Sequence, residues 1–222
     1  MNQQDKVWVG GVPPVSGGKG HTAEYHLAVA AALPVPAPNI ALHFHVEAYT
    51  RRGQYFDMES LGYVALQSWR RDVSVFPGLR SLPNPYRPES IWLTMSLASR
   101  GCEGVEIANE QPPFPDPGSL VADVTVAKPP NLSIRGTVLP ELANTSELLD
   151  ADWLGLELTF GNEVDVGEFG FAGPIKPLID AMSPLLGRDR SGGPADHRLH
   201  DLRIRTDERS DQSVRIRFWY SD

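Results

Sequence analysis

The chain of 222 residues has one cysteine, Cys102, no apolar run approaching 18 residues, and no excess of basic over acidic side chains. Each shortage excludes a class of protein. One thiol builds neither an internal disulfide framework nor a cysteine-based zinc site. The missing apolar run predicts no membrane-spanning helix. The opening MNQQDK is polar and lacks the apolar stretch of a secretory signal, so a cytoplasmic protein with no membrane partner is expected. Lys and Arg number 20 against 28 Asp and Glu, a net charge of −8, which disfavours non-specific gripping of nucleic acid through its phosphates.

What is abundant is turn chemistry. Twenty Gly and twenty Pro exclude a helical bundle or coiled coil, while 41% apolar and 22% charged residues fit an ordinary globular protein of one large or two small domains. Charge is unevenly placed. Residues 116–168 hold ten acidic and two basic side chains, whereas residues 188–217 hold eight arginines and six acids. The first is a solvated acidic face or a surface for a basic partner; the second is an arginine-bearing sheet face or a phosphate contact.

Alternation of apolar and polar residues predicts strands at 40–48, 90–98, 120–126, 153–160, 200–205 and 213–219, after an N-terminal strand. Each reads as half-buried antiparallel strand with one wet face, and the polar run 206–213 reads as a hairpin loop. Helices are expected at 21–33, at 57–71 with Asp57 as cap, and from Pro174 to Gly187. The Pro/Gly-rich run EGVEIANEQPPFPDPG makes 103–118 a linker. On either side the elements follow in the same order, which predicts an α+β protein of two α/β halves, 1–102 and 119–222, with mixed, mainly antiparallel sheets.

The sharpest segment is Lys176-Pro177-Leu178-Ile179-Asp180-Ala181-Met182. It resembles the helix of RusA-type Holliday-junction resolvases, which reads Asp-x-Asp-Asn-apolar-x-Lys-Pro-apolar-apolar-Asp-small-apolar with a further Asp after the helix. The opening strand with Pro13-Pro14, Ser16 and Lys19 is similar to the family's first strand and turn. The resemblance implies a magnesium-dependent endonuclease for branched DNA, in which clustered aspartates hold the metal and a lysine faces the phosphate. Because the family is dimeric, a duplicated chain would be a monomer imitating the dimer.

Departures from the pattern are plain. The two motif aspartates map to Gly170 and Ala172, and the asparagine to Gly173, none of which can hold a metal. That half keeps Lys176 and a later Asp189 or Asp196. The first half has Asp57 and Glu59 at the right spacing but Tyr63 in the lysine's place. The leading expectation is therefore a degenerate RusA-like protein that binds nucleic acid or a protein partner, its metal site largely lost. The enzymatic alternative uses Asp57, Glu59, Lys176 and Asp196 as catalytic residues, with Asp57 and Glu59 holding Mg²⁺. A third reading is an acidic protein-interaction module without a nucleic-acid role. Lys19, Arg203, Arg205, Arg215 and Arg217 are the candidate nucleic-acid contacts, unless carboxylates such as Asp201 neutralise them.

Other constellations are weaker. His43 and His45 share a strand face, and with His197 and His200 they would make a metal site only if the elements met. Ser16 to Thr22 lacks the first glycine and the hydroxyl after Lys19 that a phosphate-cradling loop requires. The five tryptophans fall mostly at core or sheet-face positions, with base stacking or a protein interface as the less common roles.

Overall fold

Period-two patterning dominates the structure, a computed structural model that describes residues 6–11, 41–48, 90–108, 117, 119–127, 140–142, 153–164, 172–188 and 195–220. The chain divides into two units, Met1–Phe114 and Pro115–Asp222. The expected helices at 21–33 and 57–71 lie outside the described residues.

The first unit holds β1 (Lys6–Gly10), β2 (Ala41–Ala48), β3 (Ser90–Leu97) and β4 (Gly104–Ala108). β1 pairs antiparallel with β4, β4 antiparallel with β2, and β2 parallel with β3. Phe44, Val46 and Ala48 are buried with Ile91, Leu93, Met95, Val105 and Ile107. His43, His45 and Glu47 point the other way and are half-buried. β4 occupies part of the predicted linker. Its sequence, Gly-Val-Glu-Ile-Ala, alternates like any strand, with Val105 and Ile107 buried, but is too short to stand out among flanking Gly and Pro.

The second unit holds β5 (Leu120–Val126), β6 (Leu154–Phe160), α1 (Ala172–Ala181), α2 (Ser183–Leu186), β7 (Leu199–Thr206) and β8 (Val214–Tyr220). β5 pairs antiparallel with β8, β8 antiparallel with β6, and β6 parallel with β7. Strand order and direction therefore repeat those of the first unit. The match extends to single hydrogen bonds: Ala98 N–H donates to Ala48 O at 3.1 Å in one unit, and Asp207 N–H to Phe160 O at 3.0 Å in the other. The protein is α+β with mixed, mainly antiparallel pairing.

Two expectations are corrected in this unit. Residues 206–213 do not close a hairpin, because β6 lies between β7 and β8. The connection crosses the end of β6 and is tied to it by Gly161 N–H to Ser213 O, Asn162 N–H to Arg209 O, and Arg209 Nη2 to Thr159 O. Loop length alone does not distinguish a hairpin from a step over one strand. Nor does β6 have a wet face. Glu157 and Thr159 are buried along with the leucines, since side chains from both neighbouring strands lie across them.

The helix predicted from Pro174 to Gly187 starts at Ala172 and breaks at Met182. Pro184 restricts Ser183 and cannot donate into the turn before it, so α2 restarts rather than continues α1. α1 and α2 bury Ile175, Leu178, Ile179, Leu185 and Leu186. Gly187, at φ 78°, ends the second helix in a conformation that disfavours a side chain.

Candidate functional site

In α1, Lys176 stands one helical turn before Asp180, so the two side chains share a face. Asp196 opens the short 3₁₀ turn Asp196–Arg198 that leads directly into β7. Ala195 N–H donates to Gly187 O at 3.0 Å, and Arg198 Nη1 to Leu186 O at 2.8 Å, which returns this turn to the end of α2. The result is that Lys176 Nζ donates to Asp196 Oδ2 at 2.8 Å and lies 3.4 Å from Asp180 Oδ1. Lys176 is 44% exposed, and Asp180 and Asp196 about 23% and 18%.

Two of the four predicted catalytic residues, Lys176 and Asp196, thus meet in one ion pair. Asp57, Glu59 and Lys19 lie outside the described residues, as does Asp189. Asp180 was not among the predicted site residues, although its i, i+4 spacing from Lys176 was readable. The cluster fits magnesium poorly: two carboxylates provide few hard oxygen ligands, and an ammonium already offsets part of their charge. Among the described residues no group of three His, Cys, Asp or Glu is placed to hold a metal ion.

The polar face of the second unit carries the four predicted arginine contacts. Their shared face is the predicted one, and each has a carboxylate partner. Arg203 is buried, donates to both oxygens of Asp201, with Nη2 to Oδ2 at 2.7 Å, and stacks 4.6 Å above the ring of Trp219. Arg205 Nη2 and Arg217 Nη1 donate to the same Glu157 Oε1 at 2.9 and 3.2 Å. Arg215 grips Asp123 with Nε at 2.8 Å and Nη2 at 2.6 Å. That two-pronged hydrogen bond holds the Asp123 carboxyl below its ordinary range and pushes the Arg215 guanidinium up. Glu157, only 2% exposed, organises this face. It was missed because its spacing on β6 reads as a solvent position, and only the register places it beside two arginines.

On the matching face of the first unit, His43 Nε2 and His45 Nδ1 both contact Thr94 Oγ1, at 3.0 and 2.8 Å, and Ser96 Oγ lies 3.2 Å from His45 Nε2. His43 also stacks on Trp92 at 4.2 Å between centroids. In the second unit, His200 packs on Trp153 at 3.9 Å. Hydrogen bonds engage His43 and His45, ring packing engages His43 and His200, and the His200 Nδ1 atom is buried without a hydrogen-bond partner. No protein-family model matches the chain, and no curated protein does.

Proposed function

We propose that this chain is a degenerate RusA-like protein, a tandem of two related halves that acts by binding and not by cutting DNA. The observation that carries the reading is the state of Lys176. In a phosphate-cleaving site an ammonium must be available to charge building on the phosphate. Here it is held by Asp180 and Asp196, and in the sequence the two aspartate positions of the motif are Gly170 and Ala172. The repeated strand order supports descent from two fused subunits, the arrangement a single-chain imitation of a dimer would keep. Of the two kinds of partner, a protein is favoured over a phosphate backbone. The arginines of β7 and β8 are matched by Asp123, Glu157 and Asp201, so an approaching phosphate must displace an existing carboxylate.

The test is incubation of the protein with labelled four-way junction, flap and single-stranded DNA in Mg²⁺ or Mn²⁺, with a shift assay alongside. No cleavage is expected. Metal-dependent cutting that disappears in Asp57→Asn overturns the proposal in favour of an active nuclease.

A further inference from the structure

Charge on the polar face of the second unit is layered. Glu157 lies at the bottom, buried, while Arg205 is 41% exposed and Arg217 22%. Strand register sets this up: β6 runs between β7 and β8, with Glu157 opposite Arg217 on one side and Thr159 opposite Arg205 on the other. Both guanidiniums donate to one carboxylate oxygen, Glu157 Oε1, so two positive charges share one negative charge. Their neighbours are matched one to one, Arg203 by Asp201 and Arg215 by Asp123. Donors are in surplus too. Arg205 uses Nε on Thr159 Oγ1 and Nη2 on Glu157, which leaves Nη1 with no acceptor among the described residues. Arg217 uses Nη1 alone, and its Nε is buried with no acceptor.

We infer that Arg205 and Arg217 form an anchor site for one carboxylate of a partner protein, an aspartate or glutamate side chain that binds with Glu157 still in place. The inference rests on the reading that this chain acts by binding a protein, and it names the chemistry of that contact. Charge selects the occupant. Two guanidiniums against Glu157 leave one positive charge, which a single carboxylate cancels. A phosphate monoester brings about two negative charges and would overshoot above a buried carboxylate. A nucleic-acid backbone engages several cations at once and would have to displace the carboxylates already there. Geometry agrees, because two carboxylate oxygens match the guanidinium fork, the pairing that Arg215 makes with Asp123 on the same face. Residues 115–222 hold 18 acidic and 11 basic side chains, so further acids on the partner would be repelled. The anchor is therefore expected in a segment with no second acidic residue.

The experiment follows the arginine Nε–H resonances of the ¹⁵N-labelled full chain at pH 7, with those of Arg205 and Arg217 assigned by their loss in Arg205→Lys and Arg217→Lys. A blocked alanine pentapeptide with glutamate at its centre is titrated at constant ionic strength. Its glutamine counterpart, inorganic phosphate and oligothymidylate form the other arms. The expected result is a saturable shift of both resonances with the glutamate peptide and none with the glutamine peptide. Arg205→Gln leaves Arg217 and Glu157 matched one to one, so the face keeps its pairing while the site loses its surplus charge. Binding should then weaken about two- to fivefold, the range for a partly exposed ion pair. The inference is overturned if the glutamate peptide moves neither resonance, if the glutamine peptide moves them equally, or if phosphate or oligothymidylate moves them at lower concentration. Junction cleavage by the parent protein would overturn the proposed function instead, so the two failures are read in separate assays.

Discussion

Lys176 and Asp196 lie 20 positions apart in sequence and 2.8 Å apart in space. The contact joins the middle of α1 to the turn that feeds β7, and it draws the one lysine of the RusA-like motif into a cluster with two carboxylates. The positive charge that the resemblance marks as catalytic has a structural occupation. Its energy should be small, however, because the lysine is nearly half exposed and water screens it.

Replacing Lys176 by Met should therefore destabilise the protein by no more than about 1 kcal/mol, mainly through repulsion between Asp180 and Asp196. Urea denaturation at low and high salt checks this. The deficit should shrink as salt screens the two carboxylates. A loss that persists unchanged in high salt would mean that packing of the lysine stem matters more than its charge.

Glu157 is a different case, since it is buried between two arginines. Glu157→Gln keeps the shape, removes the charge, and takes from Arg205 and Arg217 the carboxylate they share. The expected cost is about 3 kcal/mol, the lower end for breaking a buried pair, because both guanidiniums retain some exposure. A urea midpoint within error of the parent would contradict the role assigned to this carboxylate.

Gly155 is required by the ring above it. In Gly155→Ala the new methyl enters space held by the Trp219 indole, which is buried and topped by Arg203. Overpacking of this kind costs roughly 1–3 kcal/mol. Denaturation followed by tryptophan fluorescence should show both a lowered midpoint and an altered native signal, as Trp219 is forced to move.

Acid sensitivity should trace in part to Asp123. Its carboxyl is held below the ordinary value of 3.8, first by hydrogen bonding from Arg215. Asp211, accepting from the Ser213 hydroxyl and N–H, is lowered in the same direction. A carboxyl with a depressed folded pKa contributes stability that is present above its unfolded value and is lost as pH falls through the folded one. Asp123→Asn should therefore show a shallower loss of stability than the parent below about pH 4, in urea midpoints measured against pH at low salt. An identical acid slope in the two proteins would refute the assignment.

Much of the strand pattern was legible before any coordinates. His43, Phe44, His45 and Val46 alternate, and the structure buries the apolar members. The same holds for Val214, Ile216 and Phe218. Such alternation survives because burying one face of a strand constrains every second residue. What was not legible depended on neighbours distant in sequence. The strand Gly104–Ala108 hides among turn-forming residues, and the insertion of β6 between β7 and β8 leaves no local trace. Nothing in the one-dimensional pattern says that Gly104 and Gly155 are bare because an indole rests on each.

By itself, then, the amino-acid order determined the α+β class, most strand positions, and the helix that carries Lys176, because those follow from local periodicity, proline and glycine. Tertiary structure alone decided which charges are spent on one another. Asp196 reaches Lys176, Glu157 serves two arginines, and Trp8 keeps an exposed ring while Trp219 is covered, because ion pairing and stacking are set by strand register and chain return, which local sequence does not encode.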